Sequence, residues 1–350
     1  MSKKWTAQEE SWLQNCVNKG WKPARISKYF QNSFGIVRST SSIRKKIQRM
    51  TGISSAEVVA EPVIDVMSVD YKAKYEEAQR LIAELRNQTT ATAEEDQTPL
   101  DILVIGDAHV EPNQDLSRFE LLAHFAADQR PDIIVAIGDW FGLTSLCSYN
   151  SRLEVEGVRV VEDIKAGNDA IALFEKTLAE VAPDYKPRKI YTMGNHDHRL
   201  DRVAEEDPRL FGLVGTHLMD WAKHGWEVYP FLAPFRANGF RFQHYLCATG
   251  GRRAIAGVYQ GRKLLQAVNH EESVVVGHGH VLHNREEGLA SGKRVHAIQV
   301  GKFFTHHEEY AGEDSNNRWW TGLVMLRECV NSQCDVDTWS WPRLVRNYMN

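Results

Sequence analysis

The sequence predicts an α/β domain with buried sheets, preceded by a small basic three-helix segment. Three observations carry this. Apolar, β-branched runs recur from residue 100 onward, at 102–105, 133–137, 189–193, 240–243, 273–276 and 295–300, with helical stretches such as 116–128 and 163–181 between several of them. Polar residues of metal-binding type follow the ends of these runs, where α/β sheets place their sites. The first fifty residues differ in character: their apolar positions repeat with helical period, and they hold eleven Lys/Arg against only Glu9 and Glu10. The chain therefore divides at 1–52, 53–99 and 100–350.

In the first segment Thr6 is placed to cap a helix, Glu9 completes a capping box, and Trp12, Leu13, Cys16 and Val17 form the apolar face. Gly20 ends that helix. Pro23 suits the first turn of a second helix, which carries Ile26 and Phe30. A turn over 32–35 follows. Ser41 or Ser42 is placed to cap a third helix with Ile43, Ile47 and Met50 inward and Arg44, Lys45, Lys46 and Arg49 outward. The pattern resembles the helix-turn-helix of Myb/SANT-type domains, which often open Trp-Thr-x-Glu-Glu; this chain reads Trp5-Thr6-Ala7-Gln8-Glu9-Glu10, with one residue more before the Glu pair. DNA is then the expected partner, met by Arg38, Arg44, Lys45, Lys46 and Arg49. A protein-contact domain with a solvated charged face is the plainer alternative.

Charge supports the first reading. The 350 residues carry a formal net charge of −4, made of +9 on residues 1–50 and −13 on the rest. A basic head on an acidic body suggests a nucleic-acid partner for the head. No apolar stretch approaches a membrane span and no signal-like segment follows Met1, so a cytoplasmic protein without a membrane partner is expected. The five cysteines are scattered and form no C-x-x-C pair, which argues against a disulfide framework and a zinc–thiolate site.

Between the two parts, Tyr71, Tyr75, Ala78, Ile82 and Leu85 recur at heptad-like spacing. That stripe either pairs two copies of the chain through a helix over 68–87 or lies on the larger domain. Residues 87–99 lack periodicity and read as a flexible linker.

The chemistry sits after the strands. Asp107-Ala108-His109 follows the first run, Gly138-Asp139 the second and Gly194-Asn195-His196-Asp197 the third. His244 follows the fourth, and Gly277-His278-Gly279-His280 the fifth. Oxygen and nitrogen donors without sulfur suit Mn, Fe, Zn or similar divalent ions. A lone histidine is more often a satisfied core or surface residue, and His198, His217, His224, His283, His306 and His307, which match no block, default to that role. Five blocks in order are not explained that way.

The order Asp-x-His, Gly-Asp, Gly-Asn-His-Asp, His, Gly-His-x-His resembles the motif set of calcineurin-like metallophosphoesterases, over roughly residues 100–305. The resemblance implies a four-layer α/β/β/α sandwich with two divalent metal ions, manganese first and iron, zinc, nickel or magnesium as alternatives. It implies that Asp107, His109, Asp139 and His280 hold one metal. Asp139 would bridge to a second, completed by Asn195, His244 and His278. A hydroxide between the metals would attack phosphorus in line, with His196, oriented by Asp197, assisting the leaving group. At one point the chain departs from the pattern: Tyr245 stands where Gly commonly follows the fourth-block histidine. Asn195, Arg199, Arg252 and Arg253 are candidate donors to a substrate phosphate. Trp319, Trp320, Trp339 and Trp341 are expected to pack the core or dock C-terminal strands.

Fold and metals do not choose a substrate. Gly138-Asp139-Trp140-Phe141-Gly142 lacks the Asp-Arg-Gly usual in protein Ser/Thr phosphatases and is nearer the Gly-Asp-x-Phe of repair nucleases. The expectation is a hydrolase for nucleic-acid or nucleotide phosphoesters, brought to DNA by its head. The alternatives are a phosphatase for a small molecule or phosphoprotein, and a DNA-binding regulator with an inert phosphoesterase domain. The architecture also resembles metallophosphoesterases common in bacteriophage genomes.

Overall fold

Side chains along the central strands alternate between two buried faces, and that alternation builds the layers of the larger unit. A computed structural model of the chain describes residues 5–19, 21, 23–51, 98–148, 155–248, 251, 253–257, 259–308 and 311–349. The chain divides into two units, 1–77 and 78–350.

In the first unit, α1 (Ala7–Asn18), α2 (Pro23–Phe34) and α3 (Thr40–Thr51) bury Leu13, Cys16, Ile26, Ile43 and Ile47 against one another. The capping box forms as expected: Glu9 N–H donates to Thr6 Oγ1 at 3.2 Å, and Thr6 N–H to the Glu9 carboxylate at 2.9 Å. The third helix starts earlier than expected. Its cap is Ser39, not Ser41 or Ser42, and Ser39 Oγ accepts the Ser42 N–H at 3.2 Å. Gly35, at φ +66°, makes the turn after α2, and Gly20 lies outside the described residues.

The expected DNA-facing set needs one correction. Arg38 is buried, donates to Glu9 at 3.1 Å and lies 4.4 Å over the Trp5 ring, so it closes the head's interior instead of facing phosphate. Lys46 pairs with Glu10, while Arg44, Lys45 and Arg49 are exposed.

The second unit runs β1 (Leu100–Ile105), α4 (Ser117–Gln129), β2 (Ile133–Ala136), α5 (Val160–Val181), β3 (Arg188–Thr192), α6 (His198–Glu206), β4 (Glu227–Tyr229), β5 (Phe235–Ala237) and β6 (Phe240–Phe242). It continues through α7 (Gln260–Ala267), β7 (Ser273–Val276), β8 (Leu282–Gly288), β9 (Arg294–Val300), α8 (Glu313–Arg318), β10 (Gly322–Val330), β11 (Gln333–Ser340) and α9 (Trp341–Tyr348). One sheet has the order β11-β10-β1-β2-β3-β4 and the other β5-β6-β7-β9-β8. The strands β1 to β4 pair in parallel, as do β6, β7 and β9.

Period-two alternation then sorts side chains to opposite faces. Ile102 and Val104 point between the sheets and pack with Val135, Phe242, Val275 and Ile298. Leu103 and Ile105 point the other way, to Leu122 and Phe125 of α4 and Phe174 of α5. On the far face of the second sheet, Val274, Val276 and Ala297 meet Leu264 and Leu265 of α7. The layers are therefore helix, sheet, sheet, helix, the α/β/β/α order expected. Trp339 and Trp341 pack against the helical layer and Trp320 against the layer between the sheets.

All five cysteines are free. Among the described residues no helix is long and apolar enough to cross a membrane. The stripe at Tyr71–Leu85 and the helix expected over 68–87 lie outside the described residues.

Candidate metal centre

Loops leaving β1, β2, β3, β6 and β7 bring their polar residues to one place. Four of these residues, His109, Asp139, His278 and His280, hold positive φ, between 37° and 65°. Each such backbone costs on the order of 1–2 kcal/mol for a residue with a Cβ, so the surrounding packing must impose it. Gly194 shows how tight that packing is: a Cβ there would lie 2.0 Å from Asp139 Oδ1 and 2.5 Å from the Asp139 nitrogen. Gly138 combines a φ of +99° with a Cβ position only 2.6 Å from His244 Nδ1.

Three overlapping groups result, each with its candidate ligand atoms within 4.8 Å of one another: Asp107, His109 and His280; His109, Asp139 and His196; Asp139, His244 and His278. His280 Nε2–H donates to Asp107 Oδ2 at 2.9 Å, and the His278 backbone N–H to Asp107 Oδ1 at 2.9 Å. His244 Nε2 lies 3.1 Å from Asp139 Oδ2 and 3.1 Å from Asn195 Oδ1. Its Nδ1–H donates to the Ile137 carbonyl at 2.8 Å, which fixes the ring in that orientation. Tyr245 does not displace it; the Tyr245 ring packs against His278 with centroids 4.8 Å apart. The structure thus brings together all seven residues expected as ligands.

Whether cations fit is tested by His109. Its Nε2 is buried without a hydrogen-bond partner, 3.9 Å from Asp107 Oδ2 and 3.9 Å from Asp139 Oδ2. An imidazole nitrogen left open between two carboxylates fits a shared cation, and nitrogen and oxygen donors without sulfur fit the divalent ions expected.

Charge is concentrated here. Burial would raise Asp107 and Asp139, but the His244 imidazole leads the groups that outweigh it. Asp107 comes down to about 2, and Asp139 lies well below the usual carboxylate range. Burial would likewise lower His109 and His244. The Asp139 and Glu308 carboxylates instead carry His109 up to about 10, and Asp139 with Asp107 carries His244 up to about 9. Burial and the charge of His244 push His278 down to about 4.

Two expected roles are corrected. Asp197 does not orient His196, whose Nδ1–H donates to the Gly142 carbonyl at 2.8 Å. The Asp197 carboxylate faces the other way and accepts the N–H groups of Gly194 at 2.7 Å and Asp139 at 3.1 Å, and the Tyr191 hydroxyl. It therefore ties the second block to the third. Burial, then the charge of Asp139, raises its carboxyl to about 6. Arg199 is buried and donates to the Gly142 and Leu143 carbonyls at 3.1 and 3.2 Å, so that guanidinium nitrogen is committed to backbone, not to a phosphate. Arg253 is exposed, and Arg252 lies outside the described residues.

Sequence reasoning missed Glu308. Its Oε1 accepts the His109 Nδ1–H at 2.6 Å across a separation of 199 residues. Phe304 stacks on the His109 ring with centroids 4.7 Å apart, and Trp319 meets His280 edge-on at 4.4 Å. His306, expected to be structural or exposed, falls with Glu111 and Glu308 in a fourth group of candidate ligands. Its ring nitrogens lie 3.1 Å from the Gln114 amide and 3.3 Å from Glu308. The one signal available was the run His306-His307-Glu308 shortly after β9, which lacks the pattern of a polar block at a strand end.

The family model described as calcineurin-like phosphoesterase matches residues 100–335. No curated protein matches the chain.

Proposed function

The chain belongs to the calcineurin-like phosphoesterase family of metal-dependent phosphoester hydrolases, and from that premise we propose a two-metal hydrolase acting on nucleic-acid or nucleotide phosphoesters. The observation that carries the two-metal reading is Asp139, which belongs both to the group with His109 and to the group with His244 and His278. Asp107, His109, Asp139 and His280 would hold one cation, and Asp139, Asn195, His244 and His278 the other. Divalent cations held there would supply Lewis-acid activation of water and would offset charge on the phosphoryl oxygens.

The remaining chemistry belongs to the chain. The Asp139 carboxylate is fixed by the His196 N–H at 2.8 Å, so its orientation does not depend on solvent. With its Nδ1–H given to Gly142, His196 turns Nε2 toward Asp139, 3.9 Å from Oδ2. That edge is placed to meet a phosphoryl oxygen. Burial holds the His196 imidazole well below its ordinary value, and the negative charge of a phosphoryl group there favours its protonated form, which then donates to the departing oxygen.

Targeting to DNA is supported by the head. Its α3 exposes Arg44, Lys45 and Arg49 on a segment of net charge +9 that resembles a Myb/SANT helix-turn-helix. Tethering would raise the local concentration of bound DNA at the site.

The test compares bis(p-nitrophenyl) phosphate with p-nitrophenyl phosphate, each with Mn²⁺ and with EDTA. DNA turnover is then followed at physiological salt for the full chain and for a triple Arg44→Ala, Lys45→Ala, Arg49→Ala variant. The expected result is metal-dependent cleavage, faster on the diester, with the triple variant slower on DNA and unchanged on the small diester. Cleavage of the monoester alone would overturn the substrate assignment in favour of a small-molecule or phosphoprotein phosphatase, and DNA turnover indifferent to the triple substitution would overturn targeting by the head.

A further inference from the structure

We infer that Glu308 is a positioning residue for the metal position formed by Asp107, His109, Asp139 and His280, and that it makes this position the tighter of the two. The inference rests on the two-metal reading above. The His109 Nδ1–H to Glu308 contact of 2.6 Å joins an imidazole 1% exposed to a carboxylate 11% exposed, so the bond is largely shielded from water. A carboxylate on Nδ1 fixes the tautomer that leaves Nε2 as the ligand atom, and it raises that nitrogen's basicity toward a cation. The Nε2 so directed is the buried, unpartnered atom between Asp107 and Asp139.

Glu308 is itself held in place. Its N–H donates to Asn316 Oδ1 at 3.0 Å, and its carbonyl accepts from Asn316 Nδ2 at 2.9 Å, which anchors it to α8. Phe304 covers one face of the His109 ring, 10° from coplanar with it. The second position is built differently: His244, its buried imidazole, gives Nδ1–H to the neutral carbonyl of Ile137. A carboxylate behind one histidine and a carbonyl behind the other predicts two unequal affinities, since loss of such a partner typically costs 10–100-fold.

The experiment titrates Mn²⁺ into the chelator-stripped full chain by calorimetry, with free Mn²⁺ followed by electron paramagnetic resonance. Wild type is compared with Glu308→Gln, which keeps size and an acceptor oxygen, and with Asn316→Ala. Wild type is expected to bind two ions in two steps at least about tenfold apart. Glu308→Gln should weaken the tighter step about 10–100-fold and leave the weaker within about threefold, and Asn316→Ala should shift the same step by less. If Glu308→Gln proves unfolded by circular dichroism, Asn316→Ala carries the test alone. A tight step unchanged, or both steps weakened equally, overturns the role of Glu308 and leaves the two-metal reading standing. Fewer than two ions bound by wild type overturns that reading itself.

Discussion

His196 donates its Nδ1–H to the carbonyl oxygen of Gly142 at 2.8 Å, and this one bond decides which edge of the ring faces Asp139. Because His196 also falls in a group with His109 and Asp139, two roles compete for it: ligand, or phosphate contact. The orientation leaves Nε2 free for either, and the mechanism proposed above takes the contact. His196→Ala should therefore lose about 10²–10⁴ in kcat on bis(p-nitrophenyl) phosphate while keeping two Mn²⁺ per chain. Asp139→Asn should lose both activity and metal. Metal content measured after gel filtration separates the roles, and one ion missing from His196→Ala would make that histidine a ligand.

Gly194 has no room for a methyl group, with Asp139 Oδ1 2.0 Å from where its Cβ would lie. The obstacle is the Asp139 carboxylate itself, so relief must come from moving Asp139. Gly194→Ala should cost about 1–3 kcal/mol of stability by overpacking. It should cost on the order of 10²-fold in kcat/KM, because displacements near 1 Å suffice for that. Thermal melts beside steady-state kinetics check it. Full activity in a folded Gly194→Ala protein would show that the block tolerates expansion.

How much of this was legible beforehand depended on where each residue's partners lie. The strands β2 and β7 are buried along their whole length, so an apolar run breaking into a polar block marks their ends sharply. By contrast β8 carries Arg285, Glu286 and Glu287 along an exposed edge and shows no such run. The strands β4 and β5 are three residues each, too short for a period. Charge type misled at Arg38 and Arg199, because nothing local reports burial. Their partners Glu9 and Gly142 lie 29 and 57 residues away. Glu308 was invisible for the same reason, since its meaning depends on His109.

Arg38 gives the sharpest stability contrast in the head. Its side chain and that of Glu9 are 6% and 3% exposed, so Arg38→Ala leaves a carboxylate buried without its cation. Removing one member of a buried pair typically costs about 3–5 kcal/mol. Arg44→Ala, at an exposed position on α3, should hardly change stability. Native-state hydrogen exchange at the amides of α1 and α3 in the full chain reads both. Equal protection in the two variants would mean that the Arg38–Glu9 pair contributes no net stability.

Protons at the candidate metal centre couple stability to cation affinity. With no cation bound, the carboxylates hold His109 at about 10 and His244 at about 9. Both values lie above the ordinary imidazole value of about 6.5. A group raised on folding contributes stability that is fully present below its unfolded value and is lost as pH rises through its folded value. The chelated protein should therefore lose stability between about pH 6.5 and pH 10 through these two groups. Asp107, at about 2, and Asp139, lower than usual, are already ionised there, and His278 and His280, both lowered, are already neutral. A cation requires the His109 and His244 nitrogens free of protons, so binding expels up to two, and Mn²⁺ affinity should rise toward about tenfold per pH unit for each proton displaced. Calorimetry at pH 6.5–8.5 in two buffers of different ionisation enthalpy counts those protons directly. An affinity flat across that range, with no proton released, would mean that the buried imidazoles are neutral before the metal arrives and that the carboxylates do not hold them charged.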